Sequence, residues 1–178
     1  ILHCEDKALS GNGVMHEGLL STILGLPGIP REAEELMVKR DLELARLTSA
    51  RIHIAHLSSK GSVEYIKEAK NKGINVTCEV TPHHLLLTVE AVKEFNTNTK
   101  VNPPLREEED RQALLEGLKN GIIDVISTDH APHLSTEKEE DYLKAPFGMI
   151  GLEISFSLLY TELVLRGIFT LAELVKFM

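Results

Sequence analysis

Short apolar runs alternate along the chain with longer segments of mixed polarity. The runs are ILHC from position 1, RIHIAHL from 51, INVTCEV from 74, KVNPP from 100 and DVISTD from 124. They have the length and residue types of strands. The last four recur about every 24 residues.

The segments between them carry helical periodicity. In PREAEELMVKRDLELARLTS, Val38, Leu42 and Ala45 fall at i, i+4 and i+7, behind a proline and acidic residues suited to a first turn. SVEYIKEAKNKG spaces Val63, Ile66 and Ala69 three apart and ends on Lys72-Gly73, a helix-stop pattern. REEEDRQALLEGLKNG puts acidic residues first and Lys119 last, with Leu114, Leu115 and Leu118 as its buried face. The run Glu107 to Asp110 is read as a solvated first turn, and Lys60 and Lys67 as surface residues. GLEISFSLLYTELVLRG is read as one long helix and TLAELVKFM as the start of another.

Strands alternating with helices predict an α/β fold of parallel units. The short repeat favours a (β/α)8 TIM-type barrel over a doubly wound sheet. A whole barrel takes about 200 to 250 residues and eight strands. The expectation is therefore that this chain supplies roughly the C-terminal five strands, with 1–178 as the C-terminal part of one barrel and no second domain. ILHC reads as mid-strand at the first position, which suggests a piece of a longer protein.

Composition narrows the class. The 178 residues are 43% hydrophobic and carry a net charge of −8. An acidic balance disfavours a nucleic-acid partner. No apolar run approaches the ~18 residues of a membrane span, and no signal peptide is visible at the start, so a cytoplasmic location is expected. Cys4 and Cys78 are too few for a disulfide framework and are expected to be buried thiols.

In a barrel of this type the chemistry lies at the C-terminal strand ends. Those ends carry His3, His56, Asn102 and Asp129, with His133 four residues beyond Asp129. His83 and His84 follow the INVTCEV run and are read as packing groups at a helix start. Histidines and an aspartate on separate strands can converge on a metal, and imidazole with carboxylate suits zinc. The bland alternatives are hydrogen-bonded core histidines and an Asp129 that caps the following turn. The polar stretch 131–149 is the longest loop and sits where a mobile lid would.

Six motifs occur in order: HCED, HLSSKGSV, EVTPHHLLLT, KVNPPLR, STDHAPH and APFGMIGLE. Together they resemble the dihydroorotases of the bacterial class I type, within the amidohydrolase superfamily. The resemblance implies reversible cyclisation of N-carbamoyl-L-aspartate to L-dihydroorotate in pyrimidine biosynthesis, with two zinc ions in the complete enzyme. It implies His3 and His56 as ligands of one zinc, and Asp129 as ligand of the other and as proton shuttle. Asn102, His133, Phe147 and Gly148 match substrate-contacting positions; His83 and His84 match no ligand position.

The first-strand His-x-His pair of the family, its bridging aspartate or carboxylated lysine and its substrate arginine have no counterpart here. The segment alone is expected to bind zinc weakly and to be inactive. A homodimer and an association with aspartate transcarbamoylase are further expectations from the relatives. Two other readings remain open: a hydantoinase or allantoinase acting on another ring, and an inactive dihydroorotase-like scaffold partner of aspartate transcarbamoylase.

Overall fold

A computed structural model describes all residues, 1–178. Two short strands, β1 (Met15–His16) and β2 (Gly28–Ile29), pair in parallel and stand apart from the main sheet. That sheet contains β3 (Ile52–Ile54), β4 (Val76–Val80) and β5 (Val125–Ile126), parallel and in the order β3-β4-β5. Leu2 extends it through a single parallel bridge to Ile54.

The helices are α1 (Lys7–Ser10), α2 (Leu19–Leu24), α3 (Glu32–Thr48), α4 (Lys60–Asn71), α5 (Pro82–Leu86), α6 (Glu108–Lys119), α7 (Ser135–Lys138), α8 (Ser155–Leu159) and α9 (Leu171–Phe177). None is long and apolar enough to cross a membrane.

The three amphipathic segments fold as their periodicity predicts. Val38, Leu42 and Ala45 of α3, Val63, Ile66 and Ala69 of α4, and Leu114, Leu115 and Leu118 of α6 are all buried. They meet Ile54, Cys78, Val80 and Ile126 from one face of the sheet in a single apolar core. The expected burial of Cys4 and Cys78 holds, and burial pushes both thiols up to about 12.

Local chemistry sets the helix starts. The Ser59 hydroxyl accepts from the Ser62 amide at 3.2 Å at the head of α4. Thr81 does the same for His84 ahead of Pro82 in α5. α6 comes close to α4 at Gly117, where an added Cβ would stand 3.0 Å from Val63 Cγ1.

The sheet's other face is polar. His53 pairs in register with Thr77, and its ring reaches Thr77 Oγ1 at 2.8 Å and Glu79 Oε2 at 3.0 Å.

Three expectations fail. KVNPP is not a strand: Pro103 and Pro104 lack the amide donors a ladder needs, and the segment passes as a buried loop. ILHC contributes one bridge, not a strand. The expected long terminal helix is interrupted: after α8 the chain makes a π-helical turn at Tyr160–Val164 before α9. The continuous α/β pattern and parallel pairing stand as expected, with three strands and one bridge in the main sheet.

Candidate metal and substrate site

His3 follows the Leu2 bridge and His56 follows β3, so both leave the same end of adjacent chain segments. Their imidazoles meet: His3 Nδ1 lies 2.9 Å from His56 Nε2, with the rings at 74°. His56 has φ 35°, and Asp129, just beyond β5, has φ 46°. Left-handed backbone at two non-glycine residues is costly, and such strain tends to collect at functional sites. Burial, reinforced by the His3 ring, lowers the His56 pKa, with the Asp129 charge opposing it. A neutral imidazole is the form that ligates a metal.

The donor types fit a zinc site, and the buried His56 Nδ1 has no hydrogen-bond partner. The convergence is partial, however. His3 and His56 are in contact, while no three His, Cys, Asp or Glu side chains are grouped closely enough to hold an ion.

Glu5 is the residue that motif reading left without a role. Its Oε2 accepts from His3 Nε2 at 3.0 Å and from Asn102 Nδ2 at 3.1 Å, and it pairs with the Lys7 ammonium. Burial raises its pKa, but these donors outweigh that effect and hold the carboxyl at about 2. Because a carboxylate can only accept, His3 carries its proton on Nε2. That leaves the Nδ1 lone pair facing His56. The position of Glu5 two residues after His3 was the available signal.

The last candidates gather on a separate lip. His133 Nε2 donates to the Phe147 carbonyl at 2.9 Å. His130 pairs with Met149, and the Ala131 amide donates to the Met149 carbonyl at 3.0 Å. Gly148 has φ 134°, and an added Cβ would lie 2.8 Å from Ala131 Cβ and 3.0 Å from His133 Nε2. Only glycine fits that close approach. His133, Phe147 and Gly148 thus form one unit, whereas His3, His56 and Asn102 form another through Glu5. Asp129 is exposed between them in sequence.

A buried polar wall braces the HLSS turn. The Glu34 carboxylate accepts from the amides of Ser58 and Ser59 at 3.1 and 3.2 Å and from the Ser58 hydroxyl. Arg106, of the NPPLR motif, donates to Ser58 Oγ at 3.1 Å, to the Ile29 carbonyl at 2.7 Å and to His16 Nδ1 at 3.1 Å.

The acidic run at α6 needs correction. Glu108 and Glu109 are exposed, but Asp110 is fully buried, held by Arg31 at 2.7 Å and by the Lys60 amide at 3.0 Å. Lys60 and Lys67 keep their side chains exposed as expected. His84 is a packing group as read, fixed between Thr81 Oγ1 at 2.8 Å and the Pro103 carbonyl at 3.0 Å. His83 is buried beside it.

No family model matches the chain. Curated relatives do. The chain is 58% identical over 178 residues to a dihydroorotase from Caldanaerobacter subterraneus subsp. tengcongensis and 59% identical over 178 residues to one from Thermoanaerobacter sp.. Each alignment covers 100% of this chain and 41% of the relative.

Among solved structures, the L-hydantoinase (dihydropyrimidinase) from Arthrobacter aurescens superposes with TM-score 0.84 at 30% identity. That match covers 99% of this chain and 40% of the other. The D-hydantoinase from Thermus sp. superposes with TM-score 0.83 at 26% identity, covering 98% and 40%. Over its whole length the chain is similar to dihydroorotases, and it spans 41% of the length of the curated relatives it matches.

Proposed function

We propose that the chain is the C-terminal part of a zinc-dependent cyclic amidohydrolase of (β/α)8 barrel architecture. The reaction is the reversible interconversion of L-dihydroorotate and N-carbamoyl-L-aspartate in the cytoplasm. The observation that carries this reading is the contact of His3 and His56 at 2.9 Å within a chain 58% identical to a dihydroorotase. The hydantoinases that superpose on it favour the second reading, another cyclic amide as substrate. Their identity of 26 to 30% against 58% places that reading behind the first.

His3, through Nδ1, and His56, through Nε2, would hold one zinc, with Asp129 contributing to its neighbour. When bound, zinc polarises the ring carbonyl and makes water a nucleophile at neutral pH. The side chains do the remainder. Glu5 fixes the His3 tautomer through Nε2 and aims the Asn102 amide toward substrate. Asp129 accepts the proton of the attacking water and delivers it to the departing ring nitrogen; in cyclisation it takes a proton from the ureido nitrogen. His133 holds the substrate carboxylate, and the backbone at Phe147 and Gly148 contacts the ring. The remaining ligands, a homodimer and any association with aspartate transcarbamoylase belong to the whole protein.

The test is to purify the whole protein, measure its zinc content and assay dihydroorotate, hydantoin and allantoin. Turnover of dihydroorotate with bound zinc is expected. Turnover of hydantoin or allantoin alone replaces the substrate assignment. Failure on all three with zinc present leaves the scaffold reading.

A further inference from the structure

Lys100 is 2% exposed yet its ammonium meets no carboxylate: no ion pair includes it. Nζ donates to the carbonyls of Tyr142 at 2.7 Å and Leu143 at 3.1 Å. It also lies 4.8 Å from the centre of the Phe147 ring. The Lys100 carbonyl accepts from the Gly148 amide at 2.9 Å. Lys138 makes a second tie, donating to the carbonyls of Thr97 at 3.2 Å and Pro146 at 2.8 Å, while the Thr97 hydroxyl donates to the Lys138 carbonyl.

Burying an ammonium without a counterion is costly, so its carbonyl and ring contacts must recover much of the lost hydration. The chain accepts that cost at one place. Both amines grip 139–148, and Lys100 stands two residues before Asn102. One residue therefore joins, through main chain and side chain, the segment bearing Asn102 to the loop bearing Phe147 and Gly148.

We propose that Lys100, seconded by Lys138, is a positioning residue that clamps the 139–148 loop in its substrate-ready form. The loop sequence is polar enough for a mobile lid, and the clamp keeps it closed before substrate arrives. Because the loop's contacts with substrate rest on the function proposed above, that part of the inference rests on it too. The clamp itself does not.

The experiment uses the whole protein with Lys100→Met, Lys100→Arg and Lys138→Met, following amide exchange and steady-state kinetics on dihydroorotate. Exchange across 139–148 without substrate should rise at least about tenfold in Lys100→Met, while α4 stays unchanged. KM should rise by about tenfold with kcat within about twofold and zinc content intact. Lys100→Arg, which donates to the same carbonyls, should recover much of the protection. Unchanged exchange in Lys100→Met, or a fall in kcat at constant KM, overturns the proposal. If Lys100→Met does not fold, Lys138→Met decides on the same exchange readout, since its side chain is only half-buried. Wild-type protein that leaves dihydroorotate untouched sinks the assigned function alone, because exchange still reports the clamp.

Discussion

Asn102 Nδ2 donates to Glu5 Oε2 at 3.1 Å, and the same oxygen accepts from His3 Nε2 at 3.0 Å. One carboxylate oxygen thus links the residue assigned to substrate with a residue assigned to metal. Glu5→Gln replaces that charged acceptor by an amide that can turn its donor toward His3 or Asn102. Zinc affinity of the whole protein should fall by roughly 10- to 100-fold, as for other groups that orient a metal-binding histidine. KM for dihydroorotate should rise as Asn102 loses its anchor. Equilibrium dialysis with zinc measures the first effect; unchanged affinity removes Glu5 from the site.

Asp129 stands on left-handed backbone at the end of β5, exposed and free of protein hydrogen-bond partners that would explain the strain. Asp129→Asn keeps the shape and removes the proton acceptor. Turnover should fall by about a hundredfold or more in both directions, within the range of lost general acid–base catalysis. Asn102→Ala should instead raise KM while zinc stays bound. Near-normal rates for Asp129→Asn would end its assignment as proton shuttle.

Much of the fold is legible because its three main helices carry apolar stripes at helical spacing, and those stripes are what the sheet covers. The failures have local causes. Lys100 to Pro104 looks strand-like because Val101 is apolar and buried, yet the two prolines deny it a ladder. The terminal segment is apolar on several sides, so periodicity cannot mark where α8 gives way to a π turn. Glu34 and Asp110 sit where first-turn acids are expected, which hides their burial. Their partners are 24 and 79 residues away, at Ser58 and Arg31, and only the tertiary fold brings them in. The same limit applies to Glu5: its motif position is visible, its bond to Asn102 across 97 residues is not.

Arg106 is the cation of the wall behind His56. Its removal takes the donor from His16 Nδ1 and leaves the Glu34 carboxylate buried without that charge nearby, while the Ile29 carbonyl keeps the Glu17 amide at 3.1 Å. Arg106→Met should destabilise the fold by about 3 kcal/mol, the usual scale for breaking a buried charged network from one side. The double variant Arg106→Met with Glu34→Gln should recover part of the loss, since no unpaired charge then remains. Urea unfolding midpoints test both; additive losses would mean that the two groups are not coupled through Ser58.

Acid should weaken the fold in two separable stages. Burial, helped by the charges of Arg106 and Arg31, lowers the His16 pKa from 6.5 to about 4, and burial likewise brings His84 to about 4. Their hydrogen bonds set which ring nitrogen carries the proton of the neutral form. Arg106 can only donate, so His16 Nδ1 accepts; the Pro103 carbonyl can only accept, so His84 Nε2 donates. The unfolded chain binds protons at these rings from pH 6.5 downward while the native chain refuses them. Stability is therefore full above pH 6.5, declines as pH falls, and levels off below about 4, with a loss of ~3 kcal/mol for each ring. The Glu5 pKa is also lowered, from 4.5 to about 2, but here because its donors favour the charged form, so its stabilising contribution is full above pH 4.5 and is lost as the pH falls from there toward about 2. Urea midpoints measured between pH 7 and pH 3 should fall first in the histidine window. His84→Gln should flatten that window by one proton while leaving the carboxylate stage in place, and an equally steep decline in the variant would show that His84 is not held neutral in the native fold.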